Sequence, residues 1–304
     1  MTAQPITHRP TKLFRKVIDF PLTRMLLALL FVSLIVAGVQ SLIVLLGTTF
    51  VLKSSVPTAF LYYGLYVAVT LLAAALAYQS YVRLLEKRPV TELAFTGAWR
   101  ETGIGVLIGI GLMTMTVGLL WLLGDYRSAG LNDGMVIVAA LANDVAGAFV
   151  EEILLRAIIF RLVEEMVGTG WALLLSALLF GGLHLFDAQA TWVGALAVGL
   201  EASILLCAAY LLTRRLWLAI GIHAGWDFMQ SGIFGAGVNV AGEGAKGLLQ
   251  GQLTGPAWWS GGALGSEASA VAVVLVLVVG IYLLMRVKAR GGMVKPAWQV
   301  QKSG

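Results

Sequence analysis

The sequence predicts an all-α, polytopic helical membrane bundle of about eight transmembrane helices. Composition is the first reason: of 304 residues, 59% are hydrophobic and only 12% are charged, where a soluble domain carries about 25%. Patterning is the second. The charges cluster between long apolar runs, and mean hydropathy reaches +0.88, as expected of helices that cross a bilayer. The third is the lack of period-2 alternation, which argues against a barrel.

About 20 apolar residues span a bilayer as a helix. Eight stretches qualify in order: about 25–50, 58–82, 103–123, 135–166, 170–186, 190–213, 216–233 and 267–286. The fifth and seventh are short. The fourth is long and is expected to begin outside the hydrocarbon, near Leu131 to Met135. The first twenty residues are polar and basic. The apolar run behind them is too long for a signal-peptide core, so it reads as a membrane helix that stays. The glycine-rich stretch 234–266 carries Trp258 and Trp259 and reads as an interfacial loop or a flexible connector. The expected organisation is a basic tail with three spans (1–134), a core of four spans (135–233), and a loop, last span and basic tail (234–304).

Lysine and arginine set the orientation. With a cytoplasmic N-terminus, the inner side collects Arg9 to Arg24, Arg83, Lys87, Arg88, Arg100, Arg161, Arg214, Arg215 and the C-tail cations from Arg286 to Lys302. The outer side has Lys53, Arg127 and Lys246, and Arg156 falls inside a span. This asymmetry predicts both termini in the cytoplasm, with the chain in a bacterial inner (plasma) membrane. The net charge of +5 is thereby accounted for as topology signal, and no nucleic-acid partner is expected. Cys207 is the only cysteine, which excludes an intrachain disulfide and thiolate zinc cages.

An ionisable group at the bilayer centre costs at least about 2.5–3.5 kcal/mol, so each one needs a reason. Four neighbouring spans hold them: Asp144, Glu151, Glu152 and Arg156; His184; Glu201; His223 and Asp227. Counted at about 1.5 Å per residue from the inner ends, Glu151, His184 and Glu201 lie roughly 18–22 Å deep and His223 and Asp227 roughly 10–17 Å. Glu152 and Arg156 stand four residues apart, share a helix face and are expected to pair. His223 with Asp227, and Phe180 with His184, repeat that spacing. A carboxylate can take a proton from water while an imidazole or a metal positions it, so the set reads as hydrolytic. Asp144 is expected to line a water cavity. Glu201 reads equally as a helix–helix hydrogen bond, for instance to Ser203, or as a charge lining the site.

These residues resemble a known family. Glu151-Glu152-Ile153-Leu154-Leu155-Arg156 is similar to the EExxxR motif of the CAAX protease and bacteriocin-processing family (CPBP, also called Abi). Phe180-Gly181-Gly182-Leu183-His184 resembles its FxxxH motif, and His223-Ala224-Gly225-Trp226-Asp227 its HxxxN motif with Asp in the last place. The order is the family's, and the resemblance covers about 135–230. It implies a type II CAAX prenyl endopeptidase-like intramembrane protease with Glu151, His184 and His223 activating water. Asp227 would hold the oxyanion or the water, and Glu152, Arg156 and Phe180 would support the site. It leaves two mechanisms open: Zn2+ held by Glu151, His184, His223 and Asp227, or a metal-free glutamate mechanism. Here Leu155-Arg156-Ala157 replaces the common FRG ending, which should preserve packing. Asp227 for Asn matters more, because ionised Asp cannot donate to an oxyanion. It would have to be protonated, bind a metal or orient His223. The stretch Gly265-Ser266-Glu267-Ala268-Ser269 looks like one seen in some bacterial members, with no role attached.

The expected function is an intramembrane endopeptidase acting on a peptide or protein, lipid-modified or not, among membrane lipids. Two alternatives belong to other classes: a non-catalytic membrane protein (scaffold or bacteriocin-immunity-like), and a proton-coupled transporter. The transporter lacks its usual inverted repeat in this sequence.

Overall fold

In the computed structural model, residues 20–50, 56–186, 191–237 and 246–300 are described. The basic N-terminal tail with His8, Lys53 and the distal Lys302 lie outside the described residues. The helices are α1 (Pro21–Phe50), α2 (Val56–Tyr81), α3 (Ala98–Leu123), α4 (Met135–Glu152), α5 (Arg161–His184), α6 (Trp192–Glu201), α7 (Cys207–Thr213), α8 (Trp217–Asp227), the short α9 (Ala257–Ser260), α10 (Ala270–Ala289) and the short α11 (Ala297–Val300). Among the described residues six helical stretches are long and apolar enough to cross a membrane: Pro21–Gly47, Thr58–Glu86, Ala98–Leu123, Met135–His184, Trp192–Thr213 and Ala270–Ala289. The chain is thus a helical integral membrane protein.

The fourth stretch, at 50 residues, would be about 75 Å long if straight. It folds double instead. Gly168 leaves helical geometry (φ 78°, ψ 166°), and Leu154 and Leu155 line one cavity together with Leu183 and His184. The predicted spans 135–166 and 170–186 are the two legs of this fold-back. The predicted span 216–233 is α8, of 11 residues, followed by a six-residue π-helical turn, Phe228–Ile233. It is too short to qualify by length, although α8 is buried along nearly all of it.

Glycines set the seat of α8. Gly105 and Gly109 on α3 face Gly221 and Gly225 on α8, four residues apart on each helix. A Cβ on Gly109 would collide with the Ile222 carbonyl, one on Gly105 with the Leu218 carbonyl, and one on Gly225 would sit 2.7 Å from the Val106 carbonyl. Small residues at this spacing let helix backbones meet in a membrane, where packing replaces the hydrophobic drive.

At one end of the bundle, arginines and glutamates interlock. Arg161 pairs with Glu86 (2.6 Å) and Glu165 (2.8 Å), Arg24 with Glu165 (3.2 Å), Arg88 with Glu86 (2.6 Å), Arg214 with Glu164 and Arg215 with Glu101. The C-terminal segment reaches the same end. Arg214 Nη2 donates to the Gly292 carbonyl (2.9 Å), and Thr169 N to the Val294 carbonyl (3.0 Å). The far end of α3, 26 residues on, carries the one departure from an all-helical expectation. β1 (Tyr126–Leu131) pairs antiparallel with β2 (Leu249–Leu253). This pair and its flanking turns order part of the predicted 234–266 loop. Trp259 Nε1 donates to Asp125 Oδ2 at 2.8 Å, while Trp258 is largely exposed.

Gly109→Leu is expected to lower folded yield and thermal stability in detergent, by about 1–3 kcal/mol or more for overpacking. Gly111→Leu, two residues on and facing open space, is expected to leave both unchanged. Fluorescence-detected gel filtration after a heating series reads the difference. Equal tolerance at both positions would show that the α3–α8 seat is not tight.

Candidate active site

The site grows from one buried ion pair. Glu152 ends α4, and Arg156 sits in the π-helical turn that follows, Ile153–Phe160. Arg156 Nη1 donates to Glu152 Oε1 at 2.6 Å, and the side chains are only 1% and 0% exposed. The same guanidinium donates through Nη2 to the Ala202 carbonyl at 2.9 Å. Ala202 opens the widened turn Ala202–Leu206 behind α6. The Phe180 ring, on α5, lies 5.7 Å from the guanidinium. One arginine therefore ties together three helices.

Glu152 also reaches across to α8. His223 Nδ1 lies 2.9 Å from Glu152 Oε1. A carboxylate paired with a guanidinium can only accept, so Nδ1 is the donor. That fixes the ring and points Nε2 the other way, to Asp227 Oδ2 at 3.2 Å and Glu151 Oε2 at 3.8 Å. Glu151 is not packed away like its neighbour: 49% of its side chain stays accessible. It opens on a cavity of about 350 Å³ that His184 also lines. His184 Nδ1 is engaged with the Phe180 carbonyl at 2.9 Å, which leaves Nε2 for a water or a substrate.

The fold thus links Glu151, Glu152, Arg156 and Asp227 through His223 and Glu152, and His184 and Phe180 line the cavity that Glu151 also lines. Asp144 accepts from Ser231 Oγ at 2.8 Å. Glu201 is buried, but it has no bond to Ser203, whose hydroxyl donates to the Leu173 carbonyl at 2.6 Å instead. Glu201 lines a second cavity with His223 and Asp227, and so does Glu267. The sequence gives no reason to place Glu267 here. The only signal is its glycine- and serine-rich setting, Gly265 to Ser269.

His223 Nδ1 is held by Glu152 and His184 Nδ1 by the Phe180 carbonyl, so Nε2 is the nitrogen each ring would offer to a metal or a water. Among the described residues no three His, Cys, Asp or Glu side chains stand close enough to share an ion.

A polytopic helical membrane protein with a carboxylate–histidine cluster inside its bundle is the class that fold and site define. Residues 133–229 match the model of a family described as Rce1-like, type II CAAX prenyl endopeptidase Rce1-like. That stretch contains all three motifs and every residue of the cluster, so the family resemblance drawn from the motifs holds. No curated protein and no solved structure matches the chain.

The two adjacent glutamates should separate in experiment. Glu152→Ala leaves Arg156 and His223 without their shared acceptor, and removing one member of a buried pair costs about 3–5 kcal/mol. Its melting temperature in detergent is expected to fall clearly. Glu151→Gln keeps shape at a half-accessible position and is expected to melt with the wild type. The reverse ranking would exchange the roles of the two.

Proposed function

We propose that the chain is an intramembrane endopeptidase in which Glu151 and His223 activate a water. The observation that carries this reading is the chain Arg156–Glu152–His223, which aims one imidazole nitrogen at the accessible Glu151 and at Asp227. Water enters the cavity beside Glu151. The Glu151 carboxylate takes its proton as the oxygen adds to the scissile carbonyl carbon. The oxyanion so formed accepts from Nε2–H of His184 in its imidazolium form, since Nδ1–H of that ring is held by the Phe180 carbonyl. As the C–N bond breaks, Glu151 returns the proton to the leaving amine. Asp227 acts by accepting from His223 Nε2, which holds the ring charged and in place. This answers the absence of Asn at that position. Glu152 sets the ring from the other side.

The proposed substrate is a peptide or protein that enters from the bilayer, and the match to type II CAAX prenyl endopeptidases makes a prenylated CAAX peptide the first one to try. The reading needs no metal. Dialysis against a strong zinc chelator is expected to leave turnover unchanged, and loss of activity restored by Zn2+ would replace the mechanism.

Comparison of membrane proteomes from cells with wild-type protein and with Glu151→Gln tests the activity. A polypeptide that accumulates uncut only in the variant is the expected result. If no cleavage depends on Glu151, the cluster is structural and the protein a scaffold.

For topology we propose an inner (plasma) membrane of a bacterium, with both termini cytoplasmic. The basic Arg–Glu end, to which the C-terminal segment is fastened, supports it. Reporter fusions are expected to read outside at Lys246 and inside after Lys295. An external C-terminal reporter would overturn this orientation.

A further inference from the structure

The cluster at Glu151 leaves two buried carboxylates unused. Glu201 is 5% exposed, and its Oε1 has no hydrogen-bond partner. It faces a cavity of about 60 Å³ whose wall it shares with Glu267, His223 and Asp227. Glu267 is delivered there by a rigid turn. Ser266 N donates to the Ala236 carbonyl at 2.8 Å, and Ser269 Oγ to the Ser266 carbonyl at 2.6 Å. Ser269 then caps α10 by accepting from Ala272 N at 3.1 Å. Glu267 lines one cavity with His223 and Asp227, so this turn places a carboxylate beside the cluster. Among the described residues neither Glu201 nor Glu267 has an arginine or lysine in an ion pair with it: Arg156 is committed to Glu152 and to the Ala202 carbonyl.

Charge is out of balance here. Asp144, Glu151, Glu152, Glu201, Asp227 and Glu267 face one permanent cation, Arg156, and two imidazoles. A buried carboxyl without a partner takes up a proton, and a cationic ligand that displaces that proton pairs with the ionised form. The remaining walls of the small cavity are apolar, with Val198, Leu206, Val276 and the Trp226 ring among them. Asp227 and His223 on this wall hold each other at 3.2 Å, which leaves two carboxylates, fewer donors than a metal ion needs. A lysine or arginine side chain matches better. Its aliphatic stem suits apolar walls, its head can pair with two carboxylates, and an indole face attracts a cation.

We propose that Glu201 and Glu267 form a subsite that binds a basic side chain of the substrate beside the scissile bond. The subsite opens next to His223 and Asp227, and Phe180 separates it from the larger Glu151 cavity, since it lines both. A peptide lying across Phe180 would present its carbonyl to Glu151 and its basic residue to the glutamate pair. This makes the enzyme selective by charge at one position.

The proposal rests on the hydrolytic reading, so its test includes a binding arm that needs no turnover. The probes are short fluorescein-labelled peptides in which one lysine is moved through the sequence, each paired with a norleucine counterpart. Binding is measured by anisotropy on full-length Glu151→Gln protein in nanodiscs, and cleavage on the wild type. At one position lysine is expected to win over norleucine by about tenfold in affinity and in kcat/KM. The lysine-to-norleucine ratio is expected to collapse towards one when Glu201→Gln or Glu267→Gln is added. Ratios make the readout independent of how much active protein each variant yields, and the two variants are independent of each other. Preference in binding with no cleavage of any peptide would keep the subsite and remove the hydrolytic reading. Cleavage with no lysine preference at any position, or a preference that survives both substitutions, would overturn the subsite.

Discussion

A guanidinium inside a bilayer is costly unless it is paired, and Arg156 is paired through both terminal nitrogens, while its Nε has no hydrogen-bond partner among the described residues. Its partners are the Glu152 carboxylate, the Ala202 carbonyl and the Phe180 ring. Glu152 carries the constraint onward to His223 on α8. The positions of α4, α5, α6 and α8 are therefore coupled through one ion pair, and the orientation of the imidazole follows from it. Buried pairs contribute little net stability against an apolar substitute, but they penalise every arrangement that leaves a charge unpaired. In this bundle that penalty selects one register.

Irregular helix geometry recurs where the polar residues are. Widened turns begin directly after Glu152, after Glu201 and after Asp227. Such turns rotate the helix beyond them and disturb the regular ladder, which is why they gather at functional sites. Here one of them presents the Ala202 carbonyl to Arg156, and another supplies Ser231 to Asp144. The glycine seat between α3 and α8 is the complementary device, since it brings His223 in by letting two backbones touch.

Much of this was legible in the sequence for a simple reason: apolar length and i, i+4 spacing are local properties. They locate the spans, the Glu152–Arg156 pair and the His223–Asp227 pair. The paired glycines of α3 and α8 were equally visible, at a spacing known to bring membrane helices together. Three features were beyond reach because they depend on contacts between distant segments. One is the second partner of Glu152, which makes it the holder of His223 as well as the mate of Arg156. Another is the strand pair, whose segments Tyr126–Leu131 and Leu249–Leu253 are short, lie far apart in the sequence and carry at most one brief alternation, in the second. The last is Glu267, which precedes a span and looks like a loop charge until the turn around it is known.

The fold-back at Gly168 has a consequence for the order in which the protein can be made. The backbone at Gly168 abuts Val294 and Pro296, and Val294 N donates to Thr169 Oγ1 at 2.8 Å. The hinge between the Glu151 leg and the His184 leg is thus closed by residues translated more than a hundred positions later. Glu267 is also late. A nascent chain that has inserted α8 already holds the glutamate and both histidines, but with an unclamped hinge and without the last carboxylate. Geometry good enough for chemistry arrives only when α10 has entered the membrane and its trailing segment has returned to the turn. The contacts that close the Gly168 hinge and bring Glu267 to the cluster thus form only once α10 has been made.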